Sequence, residues 1–250
     1  WCQNASISQM PRETGLIVGE TSSPEEIVRA ATRAGCRSIA YTYTEPTIFF
    51  EYAYDTAELA HQAGLANVFV SNGFMTETLL DAFDPYLDAA NVDLKAFRDE
   101  TYRKYVGGRL QPVLDSLKKM KDLGIWVEVT TLVIPELNDD EGELRDAARF
   151  VAQELGPETP WHVSRFFPGY QMRHVPPTSV GTLHRAVEIG REEGLRYIFA
   201  GNVPGEANTE CHNCGELLIR RSGYRILANR VADGQVCPNC ATPVAGVGLV

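Results

Sequence analysis

Four cysteines stand in two Cys-x-x-Cys pairs, Cys211-His212-Asn213-Cys214 and Cys237-Pro238-Asn239-Cys240. Each pair sets two thiolates on one tight turn, and two such turns complete a tetrahedral sulfur site for a single metal ion. Zinc suits this donor set, and iron in a rubredoxin-like site is the alternative. Gly215, directly after the first pair, fits a turn that needs a positive φ. A closed four-thiolate site leaves no open coordination position, so it points to structure or partner docking rather than to chemistry. Disulfides are the rival use of these residues. In a chain of 250 residues with no basic-then-apolar leader, the spacing favours metal and a reducing cytoplasm.

A second group carries polar side chains just after short apolar runs. Its members are Thr42-Tyr43-Thr44-Glu45-Pro46, Ser71-Asn72-Gly73, Asp93-Leu94-Lys95, Thr130-Thr131, Ser164-Arg165 and Gly201-Asn202. Asp93 and Lys95 are two residues apart, so an extended chain turns both to one face. Singly, each of these residues could be a helix cap or a solvated loop residue, and Asp93 and Lys95 could simply pair with each other. Together, as a ring around one face, they imply a site for a polar, charged small molecule. No Gly-x-Gly-x-x-Gly follows a strand, and neither a P-loop nor a Gly-x-Ser-x-Gly elbow occurs. His61, His162, His174, His184 and His212 lack metal-ligand spacing among themselves.

The elements that must position these residues alternate. Ser23 as N-cap, Pro24 at the first helical position and Glu26 as the capping-box partner start a helix that Gly35 closes. Strands are expected over residues 38–41, 68–70, 90–94, 126–134, 162–167 and 196–200, with helices over 47–64, from 76, and over 113–123, 140–155 and 183–193. Strand–helix–strand repetition gives parallel strands with right-handed crossovers, hence an α/β barrel or a doubly wound sheet. In both, ligands sit at the C-terminal strand ends, where the polar residues fall. Six strands are too few for a closed eight-stranded barrel. Cys36, beside Gly35, reads as a buried core thiol.

The charge of −10 disfavours nucleic acid and anionic lipid as partners. The tail arginines Arg220, Arg221, Arg225 and Arg230 are offset by acidic neighbours, so its metal module is not read as a nucleic-acid binder. No apolar run approaches the roughly 20 residues of a spanning helix, so no membrane is expected as a partner.

Trp1-Cys2-Gln3-Asn4 resembles the end of the Cys-x-x-x-Cys-x-aromatic-Cys signature of radical SAM enzymes, with Cys2 as the third cysteine. The segment 42–46 resembles that superfamily's Gly-Gly-Glu-Pro stretch, and Ser71-Asn72-Gly73 and Asp93-Leu94-Lys95 resemble strand ends of activating enzymes of pyruvate formate-lyase type. Residues 92–95, 130–135 with Asn138-Asp139, 161–168, Gly201-Asn202 and the four-cysteine tail are similar to the radical SAM member of the AmmeMemoRadiSam system. The likeness spans nearly the whole chain. It implies a partial (βα)6 TIM-like barrel over residues 1–204 and a zinc-ribbon-like module over 205–250. It further implies a [4Fe–4S] cluster and S-adenosylmethionine (SAM), whose reductive cleavage yields a 5′-deoxyadenosyl radical. The activity so implied is that of an oxidoreductase, glycyl-radical-activating in type, served by an electron donor and acting on a protein or small-molecule substrate.

By the same resemblance Cys2 ligates iron, and Glu45 accepts a hydrogen bond from the SAM ammonium group. Asn72 lies near the methionyl or ribose group, Asp93 and Lys95 balance charge around the carboxylate, and Thr131 and Arg165 are further SAM contacts. There are departures: Thr130 stands where activating enzymes have Arg, and Ala5 where an aromatic is frequent. Two cluster cysteines are absent, so they are expected upstream of Trp1, and the chain as given is expected to be inactive. The rival reading is a barrel without a cluster, a scaffold that docks partners through the ribbon.

Overall fold

The computed structural model describes residues 4–203, 207–223 and 225–249. Six strands form one parallel sheet in sequence order: β1 (Ser38–Tyr41), β2 (Ala66–Ser71), β3 (Ala89–Asp93), β4 (Trp126–Val133), β5 (Trp161–Arg165) and β6 (Ile198–Gly201). Helices α1 (Pro24–Arg33), α2 (Phe50–Gln62), α3 (Glu77–Phe83), α4 (Leu110–Asp122), α5 (Glu141–Phe150) and α6 (Val180–Glu192) alternate with them. This is an α/β fold of the partial TIM-like barrel type, so the flat doubly wound alternative falls away. Among the described residues no helix is long and apolar enough to cross a membrane.

The chain divides into two compact units, Trp1–Glu128 with Phe167–Pro176, and Val129–Phe166 with Pro177–Val250. In the first, α1 opens on the expected capping box, with Ser23 N–H donating to Glu26 Oε2 at 2.8 Å and Glu26 N–H to Ser23 Oγ at 3.3 Å. Strand alternation turns Asn67 and Phe69 of β2 toward the helices. Phe69 meets Phe83 of α3 at 4.7 Å between ring centroids, and Phe50 and Tyr54 of α2 close on Phe83 at 5.6 and 5.7 Å. Asn67, fully buried among these rings, is satisfied throughout. Its Oδ1 accepts from the Tyr41 hydroxyl, its Nδ2 donates to the Ala57 and Tyr86 carbonyls, and its backbone N–H donates to Asp88. A buried amide so paired avoids the penalty of an orphaned polar group and pins β2 to α2.

In the second unit, Val129, Thr131 and Val133 of β4 and Trp161 and Val163 of β5 form the buried face. Across α5 and α6 runs a lattice of ion pairs: Arg145 with Glu192 and Glu193, Arg149 with Glu193 and Asp146, and Arg185 with Glu141, Glu188 and Glu192. The tail adds a three-stranded antiparallel sheet, β7 (Thr209–Glu210), β8 (Leu217–Ser222) and β9 (Arg225–Asn229), which the cysteine spacing alone does not foretell. Leu218, Ile219 and Val244 pack with Cys211 and Cys237 in its core. Tyr197, which leads into β6, accepts a hydrogen bond from the Ala245 N–H at 3.2 Å, and Arg221 of β8 lies over the Phe199 ring of β6 at 5.8 Å.

Several expectations shift. The helix expected from 47 begins as a tight turn, Pro46–Phe49, and that over 140–155 is α-helical to Phe150 and then widens over Val151–Leu155. The helix expected at 183 starts at Val180, because Ser179 accepts from the Thr182 N–H at 3.0 Å and caps it. Cys36 is exposed, not buried: it follows Gly35, whose φ of 69° ends α1 in a surface turn.

Candidate functional site

In the first unit the loop after β1 and the end of β2 are tied together by one carboxylate. Glu45 Oε1 accepts from Ser71 Oγ at 2.8 Å, from Thr47 Oγ1 at 3.2 Å and from the Thr47 N–H at 3.4 Å. Glu45 Oε2 accepts from the Asn72 N–H at 2.8 Å. The predicted site residues Glu45 and Asn72 are thus brought into contact. Asn72 Oδ1 turns back to accept from the Phe74 N–H at 2.8 Å, which leaves its NH2 end as the side chain's remaining donor. Ser71, whose hydroxyl also accepts from the Gly73 N–H at 3.0 Å, belongs to the polar group expected after β2, and its contact with Glu45 gives it a part that the sequence did not assign.

Gly73 is required by this geometry. Its φ is 72°, and a Cβ there would fall 2.5 Å from Val92 Cγ1 and 3.1 Å from Val113 Cγ1. The clash with branched side chains and the left-handed backbone both oppose substitution, together by about 2–4 kcal/mol. Gly73→Ala should therefore lower the urea midpoint without changing the slope of the transition, and an unchanged midpoint would refute this placement.

At the end of β3, Asp93 and Lys95 do share a face and pair directly, Nζ to Oδ2 at 2.8 Å, with side chains 41% and 26% exposed. A half-exposed pair of this kind adds little to stability, so the arrangement places two opposite charges at a strand end more than it holds the fold. The Lys95 N–H donates to the hydroxyl of Tyr102 at 3.1 Å, a buried residue that no spacing argument picks out.

The remaining predicted residues belong to the second unit. Thr131 is 3% exposed and its hydroxyl accepts from Trp161 Nε1 at 3.0 Å. Trp161 in turn lies against Gly190 of α6, so Thr131 faces the helix layer, and its neighbour Thr130 takes the opposite face by strand alternation. Arg165 donates from Nε to the Thr178 carbonyl at 2.7 Å, and its own carbonyl accepts from Asn202 Nδ2 at 3.2 Å. Gly201 lets β6 approach β5, since a Cβ there would meet Ser164 Oγ at 2.6 Å. Cys2 lies outside the described residues.

The four tail cysteines converge as their spacing predicts. Their sulfur atoms all lie within 4.8 Å of one another, with Cys211–Cys240 and Cys214–Cys237 at 3.6 Å. A tetrahedral ion with metal–sulfur bonds of about 2.3 Å requires sulfurs about 3.8 Å apart, so the site fits such an ion. The two turns match bond for bond. Cys211 N–H donates to the Glu216 carbonyl and Gly215 N–H to the Cys211 carbonyl; Cys237 N–H donates to Thr242 and Ala241 N–H to Cys237. Gly215 takes φ 73° and Ala241, at the equivalent place, φ 57°. Hydrogen bonds from Thr242 and Asn213 draw the Cys240 thiol down to about 5, whereas burial pushes Cys237 up to about 11.

A parallel βα sheet in sequence order, with polar groups gathered at the ends of β1, β2 and β3, defines an α/β protein of the partial-barrel type, an architecture in which ligands sit at the C-terminal strand ends. The sequence profile of the Radical SAM superfamily matches residues 1–148. The chain belongs to that superfamily. Over 246 residues it is 47% identical to Uncharacterized protein MJ0808 of Methanocaldococcus jannaschii, covering 97% of this chain and 72% of the relative. A domain of pyruvate-formate lyase-activating enzyme from Bacteroides vulgatus shares the fold with a TM-score of 0.57 at 15% identity, covering 66% of this chain and 99% of that one. Streptococcus suis SuiB, in a structure bound to precursor peptide SuiA, shares it with a TM-score of 0.60 at 13% identity, covering 74% of this chain and 43% of that one. Superfamily membership supports an enzyme that binds and cleaves SAM with a [4Fe–4S] cluster.

Proposed function

We propose that this chain is the radical SAM component of an AmmeMemoRadiSam type of system, with an oxidoreductase activity like that of glycyl-radical-activating enzymes. The observation that carries the reading is the Glu45 carboxylate. Oε1 is filled by Ser71 and Thr47, whereas Oε2 has, among the described residues, one donor, Asn72 N–H, and room to accept one more. That acceptor, already fixed at a strand end, suits the ammonium group of SAM. In this reading the Asn72 NH2 faces the methionyl or ribose group, and Lys95 takes the carboxylate with Asp93 balancing its charge.

When bound, a [4Fe–4S] cluster supplies the electron for reductive cleavage of SAM. We assign Cys2 as one of its ligands, with two further cysteines supplied ahead of it at the Cys-x-x-x-Cys-x-x spacing. The described cysteines do not replace them, because Cys36 is alone on a surface turn and the other four are engaged with one another. Residues 1–204 form the catalytic part in this proposal, and 205–250 form a zinc-holding module. A protein or small-molecule substrate and an electron donor complete the system, in the cytoplasm and without nucleic acid.

A protein carrying all three cluster cysteines, reconstituted anaerobically with iron and sulfide and then reduced, should convert SAM to methionine and 5′-deoxyadenosine. Cys2→Ala should abolish the conversion. A complete cluster that never cleaves SAM under strong reductant would overturn the enzyme reading and leave the scaffold in its place.

A further inference from the structure

Asp93 closes β3 and is held by the sheet, whereas its partner Lys95 stands two residues further on. β3 ends at Asp93, so the backbone N–H of Lys95 lies beyond the strand. Leu94, between the two charged residues, is fully buried. The Lys95 N–H then finds its partner in the hydroxyl of Tyr102, at 3.1 Å. Tyr102 is 2% exposed and among the largest fully buried side chains.

The ring is itself fixed from behind. Tyr102 opens a widened helical turn, Tyr102–Val106, whose carbonyl accepts from both Gly107 and Gly108, at 2.8 and 3.3 Å, and which ends on Gly107 at φ 81°. Turns of this wide type occur mostly as single-turn insertions in helices, frequently at functional sites. Here the turn aims a phenol at a strand end.

We infer that Tyr102 is a positioning residue for the ligand site: by holding the Lys95 backbone it sets where the Lys95 ammonium stands. The inference rests on the reading of Lys95 as a contact to the SAM carboxylate, and it extends that reading to a residue that touches no ligand. Burial, with the Asp93 charge nearby, holds the Tyr102 hydroxyl up at about 12. The phenol therefore stays protonated from pH 6 to pH 9, and its grip on Lys95 does not change across that range.

The test uses Tyr102→Phe, which removes one oxygen and keeps the ring, together with Lys95→Ala and the double variant, all in the reconstituted protein. In Tyr102→Phe the Lys95 amide should exchange with solvent roughly ten-fold faster, with neighbouring core amides unaffected. SAM should bind roughly three- to ten-fold more weakly, as expected for one net hydrogen bond, by the same factor at pH 6 and pH 9 and with the turnover number at saturating SAM preserved. In the Lys95→Ala background the same change should add nothing, because the two act through one another. Unchanged exchange at Lys95, unchanged affinity in Tyr102→Phe, or an equal loss in both backgrounds would each overturn the inference. If Lys95→Ala itself binds SAM as the parent does, it is the reading of Lys95 as a ligand contact that fails, and the inference falls with it.

Discussion

Cys214→Ser, and equally Cys237→Ser, should lower the metal content of the purified protein from close to one ion per chain to close to none. The four sulfurs already stand at the spacing a tetrahedral ion needs, and the two matching turns hold them there through backbone hydrogen bonds. Binding energy at such a site is folding energy, about 10–16 kcal/mol for structural zinc at neutral pH. The rest of the tail offers little to replace it. Its core is Leu218, Ile219 and Val244 around two of the cysteines themselves. The variants should therefore lose the β7–β8–β9 sheet, seen as rapid proteolysis within 207–249, with the parallel sheet retained by circular dichroism. Acid should act in the same direction. With the Cys237 thiol pushed up to about 11, metal binding must displace its proton, so affinity rises with pH and falls as pH is lowered. A tail that keeps its protease resistance with neither zinc nor iron bound would defeat the argument.

The second large effect belongs to Glu45, and here the apparently mild substitution is not mild. Glu45→Ala removes the acceptor proposed for the SAM ammonium group; a hydrogen bond to a charged group contributes about 1.5–3 kcal/mol, so affinity should fall by roughly ten-fold or more. Glu45→Gln should do no better. With its NH2 at the Oε2 position it faces the Asn72 N–H, and with its NH2 at the Oε1 position it faces the Thr47 N–H. Either way two donors oppose each other, and the loop after β1 separates from the end of β2. Calorimetric titration with SAM should rank both variants far below the parent protein, and Glu45→Gln should also unfold at a lower temperature. Parent-like affinity in Glu45→Gln would show that the carboxylate charge is not what the site uses.

The strands of the parallel sheet were legible because short apolar runs follow helix-closing glycines, and each of the six lies within two residues of its expected limits, whereas β7, β8 and β9 were not foreseen. Helix starts were legible only where a side chain announces them. Ser23 does so, while α4 begins three residues early behind Arg109, whose side chain caps nothing. That Glu45 and Asn72 would come together followed from their places after neighbouring strands, and the convergence of the four tail cysteines from their spacing. Thr130 and Thr131 were separable only by knowing which face of β4 the helices cover. Tyr102 left no trace in any period or motif, since its role depends on a turn that widens by one residue. Thr47 and Ser71 act through hydroxyl contacts whose partner is fixed only once β1 and β2 lie side by side.

The arginine lattice across α5 and α6 carries a consequence for heat. Exposed ion pairs contribute little at room temperature, because stripping water from the charges offsets most of the attraction between them. That offset shrinks on warming, as the hydration of charged groups becomes less favourable, while the contribution of buried apolar surface levels off. Arg145, Arg149 and Arg185 share Glu192 and Glu193 among them, so the charges form a connected web rather than isolated couples. This face of the molecule thus gains in relative strength as the core weakens, and added salt, by screening the web, takes that gain away.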